Sequence, residues 1–178
     1  FNGSAVINGN VTIGKNAFLK ATIHSDFECK GTADIGESAF QQATINGDFI
    51  CHDETTIATH AFSGASIKVT GTDSEGKKLG GNLPLGDGTI PKPDTELIVT
   101  IADNALSGFT TGTDDAVTEI EAATIAGNVL FGYKTQIGAN AFNGATIGDA
   151  NVPDGVSVTL NDTTLFNETN QTWYSGIG

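Results

Sequence analysis

Ile35-Gly-Glu-Ser-Ala-Phe40, followed by Ala43-Thr-Ile45, is the stretch on which the reading of this chain turns. The same wording recurs at Ile13-Gly-Lys-Asn-Ala-Phe18 with Ala21-Thr-Ile23, and at Ile57-Ala-Thr-His-Ala-Phe62 with Ala65-Ser-Ile67. It returns at Ile137-Gly-Ala-Asn-Ala-Phe142 with Ala145-Thr-Ile147. Ile101-Ala-Asp-Asn-Ala-Leu106 repeats the first half, and its second half, Ala123-Thr-Ile125, is displaced. The motif is I-G/A-x-x-A-F/L, and the copies at 13, 35 and 57 begin 22 residues apart. The step from 57 to 101 is twice that, which predicts a copy at Leu79-Gly-Gly-Asn82. The step from 101 to 137 leaves room for an insertion, assigned to 107–122. Leu160-Asn-Asp-Thr-Thr-Leu165 is a weak last echo.

Self-similarity at a fixed short period is the signature of a repeat architecture. A 22-residue unit cannot bury a core of its own, but stacked units share one. The expected fold is therefore a β-rich right-handed solenoid of about seven coils. Each coil has about 22 residues, with parallel β ladders and short 3₁₀ or α turns. Equivalent residues should stack. Ile13, Ile35, Ile57, Leu79, Ile101, Ile137 and Leu160 form one predicted ladder. Phe18, Phe40, Phe62, Leu106 and Phe142 form a second, and Ile23, Ile45, Ile67, Ile125 and Ile147 a third. The Ala-Thr-Ile segment and the aromatic after it (Phe27, Phe49) alternate apolar and polar, which predicts strand. Ala17, Ala39, Ala61, Ala105 and Ala141 are small where coil walls come close. Outward Thr and Asn should hydrogen-bond along the stack. The array is taken as one unit over 1–178, with a degenerate coil at 68–97, the insertion at 107–122 and a C-terminal cap at 149–178.

The motif resembles the BspA-like, or Treponema pallidum-type, leucine-rich repeat, which reads I-G-x-x-A-F-x-x-C with a period near 23. The likeness covers residues 1–67 and 98–148. It departs at the family cysteine, which is Ala21, Ala43, Ala65 and Ala145 here. The resemblance implies a secreted or surface-attached bacterial protein that binds an extracellular protein or glycan. A parallel β-helix is the alternative fold, since its interior ladders read alike. A structural spacer and a polysaccharide-active β-helix enzyme are the alternative functions.

Composition narrows the function. Of 178 residues, 23 are Gly, none is Met, and all eight basic residues are Lys. The absence of Met, including an initiator, predicts a processed product. Net charge is −13. Nucleic-acid partners are not expected, because phosphate and base contacts draw on Lys and Arg-rich faces. No apolar run is long enough for a membrane-spanning helix.

Chemistry-bearing residues are few. Cys29 and Cys51 are one repeat apart, read as stacked buried thiols rather than a disulfide or metal pair. His24, His52 and His60 have no zinc-ligand spacing, and His60 falls in a variable surface slot. Asp73, Glu75, Asp87 and Asp94 are calcium candidates without an EF-hand pattern. Asp114, Asp115, Glu119 and Glu121 read as a solvated acidic loop. Asn10, Asn161, Asn167 and Asn170 begin Asn-x-Ser/Thr triplets expected by chance in an Asn/Thr-rich chain. Trp173 and Tyr174 are read as an end cap. No nucleophile-and-base motif is present. No enzyme activity, cofactor or metal is expected, and no binding residue is assigned.

Overall fold

The structure, a computed structural model, describes residues 3–86, 97–113, 116–131, 134–148 and 158–160. Among them the chain is β-rich, with no helix and three parallel sheets. The first sheet is built from Ala5–Ile7, Phe27–Cys29, Phe49–Cys51, Leu83–Leu85, Val129–Phe131 and Val158–Leu160. The second contains Val11–Ile13, Ala33–Ile35, Thr55–Ile57, Leu97–Ile101 and Lys134–Ile137. The third contains Thr22–Ile23, Thr44–Asn46, Ser66–Thr72, Thr124–Ile125 and Thr146–Ile147. The chain visits the sheets in turn and returns to each one strand further along. Most of these strands have only two or three residues, so their stability comes from neighbours in the stack rather than from their own length.

Register follows the repeat. Ile13 pairs with Ile35 and Ile35 with Ile57. Ile23 pairs with Ile45 and Ile45 with Ile67. Within a strand, side chains alternate: Ala33 and Ile35 are buried while Asp34 is exposed, and Phe27 and Cys29 are buried on either side of Glu28. That alternation fixes the register, because a slip of one residue would bring Asp34 inward.

The aromatic residues form two interleaved stacks. Phe18, Phe40 and Phe62 lie face to face, with centroids 4.9 and 5.2 Å apart. Phe27 and Phe49 stack at 5.2 Å and meet the first column edge-on at 4.9 to 5.4 Å. Each such contact contributes about 0.5–1.5 kcal/mol beyond area burial. The two columns face each other because Ile23-to-Phe27 and Ile45-to-Phe49 turn a corner. The Ala-Thr-Ile segment and its following aromatic are thus two strands in two sheets, not the single strand expected from alternation.

The segment after each Ile is a run of tight turns rather than a 3₁₀ or α turn. The amides of Ala17, Leu19 and Ala21 bond to Gly14, Asn16 and Phe18 in their own repeat. Those of Asn16, Phe18 and Lys20 bond to Glu37, Ala39 and Gln41 of the next. Helix is blocked because the position three after the Ile is left-handed in every copy: φ is 59° at Asn16, 55° at Ser38, 56° at His60, 57° at Asn104 and 55° at Asn140. Asn tolerates this conformation best after Gly, which accounts for its recurrence there. His60 is therefore half-buried in a turn and not a surface slot.

Two predicted ladder members belong elsewhere. Ile101 pairs directly with Ile57, so no strand stands between them in the second sheet. Leu79 is 46% exposed and pairs antiparallel with Gly71, in a hairpin that continues the strand from Ser66. Its Gly80-Gly81-Asn82-Leu83 is the corner text of Asn46-Gly47-Asp48-Phe49 and Ala126-Gly127-Asn128-Val129, not an Ile-Gly motif. Leu160 pairs with Phe131 in the first sheet rather than with Ile137 in the second. The described residues consequently make five passes through the second and third sheets and six through the first, fewer than seven full coils. The proposed cap, Trp173 and Tyr174 included, lies outside the described residues apart from Val158–Leu160, and residues 87–96 of the degenerate coil lie outside them too.

Phe40 sits at the centre of the aromatic zipper with no exposed surface. Phe40→Ala should cost about 3–5 kcal/mol. Thr56→Ala, on the outer face of the same array, should stay within about 0.5 kcal/mol. Urea denaturation followed by circular dichroism checks both, and equal losses would contradict this packing.

Candidate binding face

The outward positions differ sharply between sheets. On the first they are Val6, Glu28, Ile50, Pro84 and Leu130. On the second they are Thr12, Asp34, Thr56, Thr100 and Gln136. The third is uniform: Thr22, Thr44, Ser66, Thr124 and Thr146, one hydroxyl per strand. Thr22, Thr124 and Thr146 are exposed, and Thr44 and Ser66 half-exposed. Neighbouring strands in a parallel sheet lie roughly 4.8 Å apart. The hydroxyls therefore form a straight polar row that offers donors and acceptors at a constant interval.

Two hairpins enter the chain at the two margins of this row. The strand Ser66–Thr72 leaves the third sheet at its far end and pairs with Lys78–Gly80. Its loop is held by Asp73, whose carboxylate accepts the amides of Glu75 and Lys77, both at 2.9 Å. That carboxylate thus serves a turn; its calcium partners Asp87 and Asp94 lie outside the described residues. The second hairpin, Phe109–Thr113 with Ala116–Ile120, precedes Thr124. Phe109 rests on His60, ring centroids 4.0 Å apart, and Ile120 is buried. His60 Nδ1 lies 3.2 Å from the Ser63 hydroxyl, which donates to the Ser107 carbonyl. This buried polar chain ties the base of the hairpin to the preceding coil. Glu119 and Glu121 are exposed, while Asp114 and Asp115 lie outside the described residues.

Hydrogen bonds along the stack run through the corners. The carboxylate of Asp26 accepts the amide of Asp48, Asp48 accepts the amide of Asn82, and the Asn82 side chain accepts the amide of Asn128, at 2.8 to 2.9 Å. Asn10 serves Thr32 and Asp103 serves Ala139 in the same way. Each donating amide follows a glycine: Gly31, Gly47, Gly81, Gly127 or Gly138. A Cβ on Gly31 would stand 2.6 Å from the Asn10 side-chain oxygen, and one on Gly138 would stand 2.5 Å from that of Asp103. Gly47 and Gly127 meet Asp26 and Asn82 equally tightly. Gly31, Gly47, Gly127 and Gly138 open the space that the neighbouring Asx oxygen fills, while Gly81 serves its corner by a φ of 85°. Asn10 is engaged in this device, whatever its triplet suggests. The recurring Gly-Asp/Asn pairs at 47, 81 and 127 are the sequence signal for it.

The remaining candidates separate. Cys29 and Cys51 are register partners, fully buried and not joined by a disulfide. The hydrogen bond with Cys51 holds the Cys29 thiol below its usual range, against burial and the nearby Glu28 carboxylate. On the outside of the same strands, His52 Nε2 lies 2.8 Å from Glu28, with Lys30 4.0 Å from the same oxygen. His24 lies exposed at one corner, His52 half-buried at another and His60 half-buried in the turn, so the three histidines do not converge. Among the described residues, no group of three His, Cys, Asp or Glu side chains is placed to hold a metal ion. No helix among them is long and apolar enough to cross a membrane.

No family model matches the chain, and no curated protein or solved structure gives a match.

Asp48 carries two links of the corner chain, to the Asn82 amide and to its side-chain amide. Asp48→Ala should destabilise by about 1–3 kcal/mol, because a half-buried amide loses its acceptor. Asp34→Ala, exposed and outside the chain, should change stability by less than about 0.5 kcal/mol. Thermal unfolding of the two variants side by side measures the difference.

Proposed function

We propose that the three parallel sheets are the faces of one right-handed β-solenoid with leucine-rich-repeat-like coils, and that it is a non-catalytic recognition module of a bacterial cell-surface or secreted protein. Its ligand would be an extracellular protein or glycan. One observation carries the reading: the third sheet presents an unbroken row of hydroxyls with a hairpin inserted at each margin. Right-handed connection is the rule for parallel strands joined by crossovers. The BspA-like motif supports the surface location. A row of hydroxyls at constant spacing suits a polymer with repeating polar groups, and the flanking hairpins supply the irregularity that makes one ligand fit better than another. The −13 charge favours ligands that are neutral or basic.

The second reading is a spacer that presents another domain. The two are separated by binding of the purified chain to immobilised matrix proteins and glycans, compared with a Thr22→Lys, Thr124→Lys double variant. Recognition predicts saturable binding that the variant weakens by about tenfold or more, equivalent to about 1.4 kcal/mol. No saturable binding, or binding that the two lysines leave unchanged, would reject the hydroxyl row as the site and leave the spacer ahead.

A further inference from the structure

Two hairpins stand off the regular ladders, and their free edges are built differently. The outer strand of the first, Lys78–Gly80, has three residues, begins with a lysine and shifts register between Leu79 and Gly80. Shortness, lysine and irregularity are the usual means of stopping another strand from adding to an edge. The second hairpin, Phe109–Thr113 with Ala116–Ile120, has none of them. Each of its strands has five residues, pairing runs without a shift, and neither strand contains proline or lysine. The two strands form a sheet by themselves, so each has one edge without a partner strand. In an antiparallel pair every second residue turns its amide and carbonyl away from its partner. Among the described residues, no other backbone takes up those groups on Val117, Thr118 or Glu119. A two-stranded hairpin is marginal in water, and a third strand stabilises it.

Side chains on the edge strand define what fits there. Ile120 is buried at the base of the hairpin, and side chains alternate along a strand, so Val117 and Glu119 share the opposite, outer face. Val117 is 62% exposed, the most open large apolar side chain among the described residues. Its cross-strand neighbour is Gly112, which leaves the space beside it unfilled. Glu119 and Glu121 are exposed, and neither has an ion-pair partner among the described residues. The segment 107–122 carries four carboxylates and no basic residue in its sequence. Like charges disfavour a second copy of this hairpin as the added strand, whereas lysine or arginine two residues from an apolar side chain meets Glu119 and Val117 together.

We propose that Ala116–Ile120 is a docking edge for an extended, basic segment of another protein, added as a third strand with an apolar side chain beside Val117 and a cationic one beside Glu119. Main-chain bonds would supply affinity, and alternate side chains the choice of partner. The edge is a second surface, and the reading of the hydroxyl row neither supports it nor needs it.

The probe is a labelled peptide, Lys-Thr-Val-Thr-Lys-Thr-Val-Thr, which alternates lysine and valine on one face in either strand direction. Fluorescence anisotropy with the full chain should show saturable binding, weakened by about tenfold or more in the Glu119→Lys, Glu121→Lys double variant. Both glutamates are exposed, so the variant should keep its unfolding midpoint, measured alongside. In the unchanged chain the peptide should slow hydrogen exchange at alternate amides of Ala116–Ile120. A second peptide with proline in place of its two central threonines keeps the charge but loses ladder donors, and should not bind. Equal binding of the proline peptide would reduce the effect to charge attraction and overturn the proposal. So would no binding, or binding that the double variant leaves unchanged. A chain that sediments as a dimer, with exchange at the same amides already slowed as its concentration rises, would assign the edge to a second copy and overturn it too.

Discussion

Along the three parallel ladders each residue rests on its own equivalent in the next strand, and the rest of the structure depends on that coincidence of register. Phe40 has Phe18 on one side and Phe62 on the other, all nearly parallel. Cys29 meets Cys51, and Ile35 meets Ile13 and Ile57. Strands of two or three residues have too few backbone bonds to hold a sheet alone. Stacked in register, they extend three parallel ladders over several repeats and contribute to one apolar core. Even the turns join in, since alternate amides there bond to the next coil. Backbone polarity is thereby satisfied through the turn as well as the strand, as a buried chain requires.

Polar chemistry at the corners reinforces this register. An Asx oxygen takes the amide that follows a glycine in the next coil, and at Gly31, Gly47, Gly127 and Gly138 the residue has to be a glycine because that oxygen stands against its Cβ position. The interaction is self-selecting. A coil one residue out of phase would offer a side chain where the oxygen needs space. The apolar ladders alone are tolerant, since Ile, Leu and Val exchange at modest cost. Corner geometry supplies the sharper discrimination. It also explains why the array tolerates long excursions such as the hairpins at 66–80 and 109–120. The excursions leave and return between corners, and Ile57 still meets Ile101.

The outer faces are where chemistry is free to differ. Inward positions are constrained by the core, while outward ones are not, yet the third sheet keeps Thr or Ser in every strand. β-branched Thr suits a half-exposed strand, which accounts for part of the preference. The second sheet shows that other polar residues serve as well, with Asp34 and Gln136 in equivalent places. A uniform hydroxyl row beside two irregular hairpins is thus the most ordered polar surface among the described residues. The buried thiols and the Glu28–His52 pair sit on the first sheet, one corner along the chain from that row.

How much was legible in the sequence follows from what kind of interaction each feature uses. The 22-residue period, the Ile and Phe ladders through 67 and the small Ala positions were legible, because like stacks on like and repetition in sequence maps directly onto contact. The placement of Leu79 and Leu160 was not. A lone Leu-Gly or Leu-Asn pair fits two corners of the coil equally well by spelling, and only pairing with Cys51, Val129 or Phe131 assigns Leu83–Leu85 and Val158–Leu160 to the first sheet. The left-handed turn residues show in the sequence only as recurring Asn, since a φ value is decided by the bonds on both sides of a residue. The Asx–glycine corners and the hydroxyl row arise between residues one or more repeats apart. Sequence by itself determined the repeat, its period and its buried identities; the tertiary structure decided which sheet each strand joins, because that choice depends on hydrogen bonds and space supplied by a different coil.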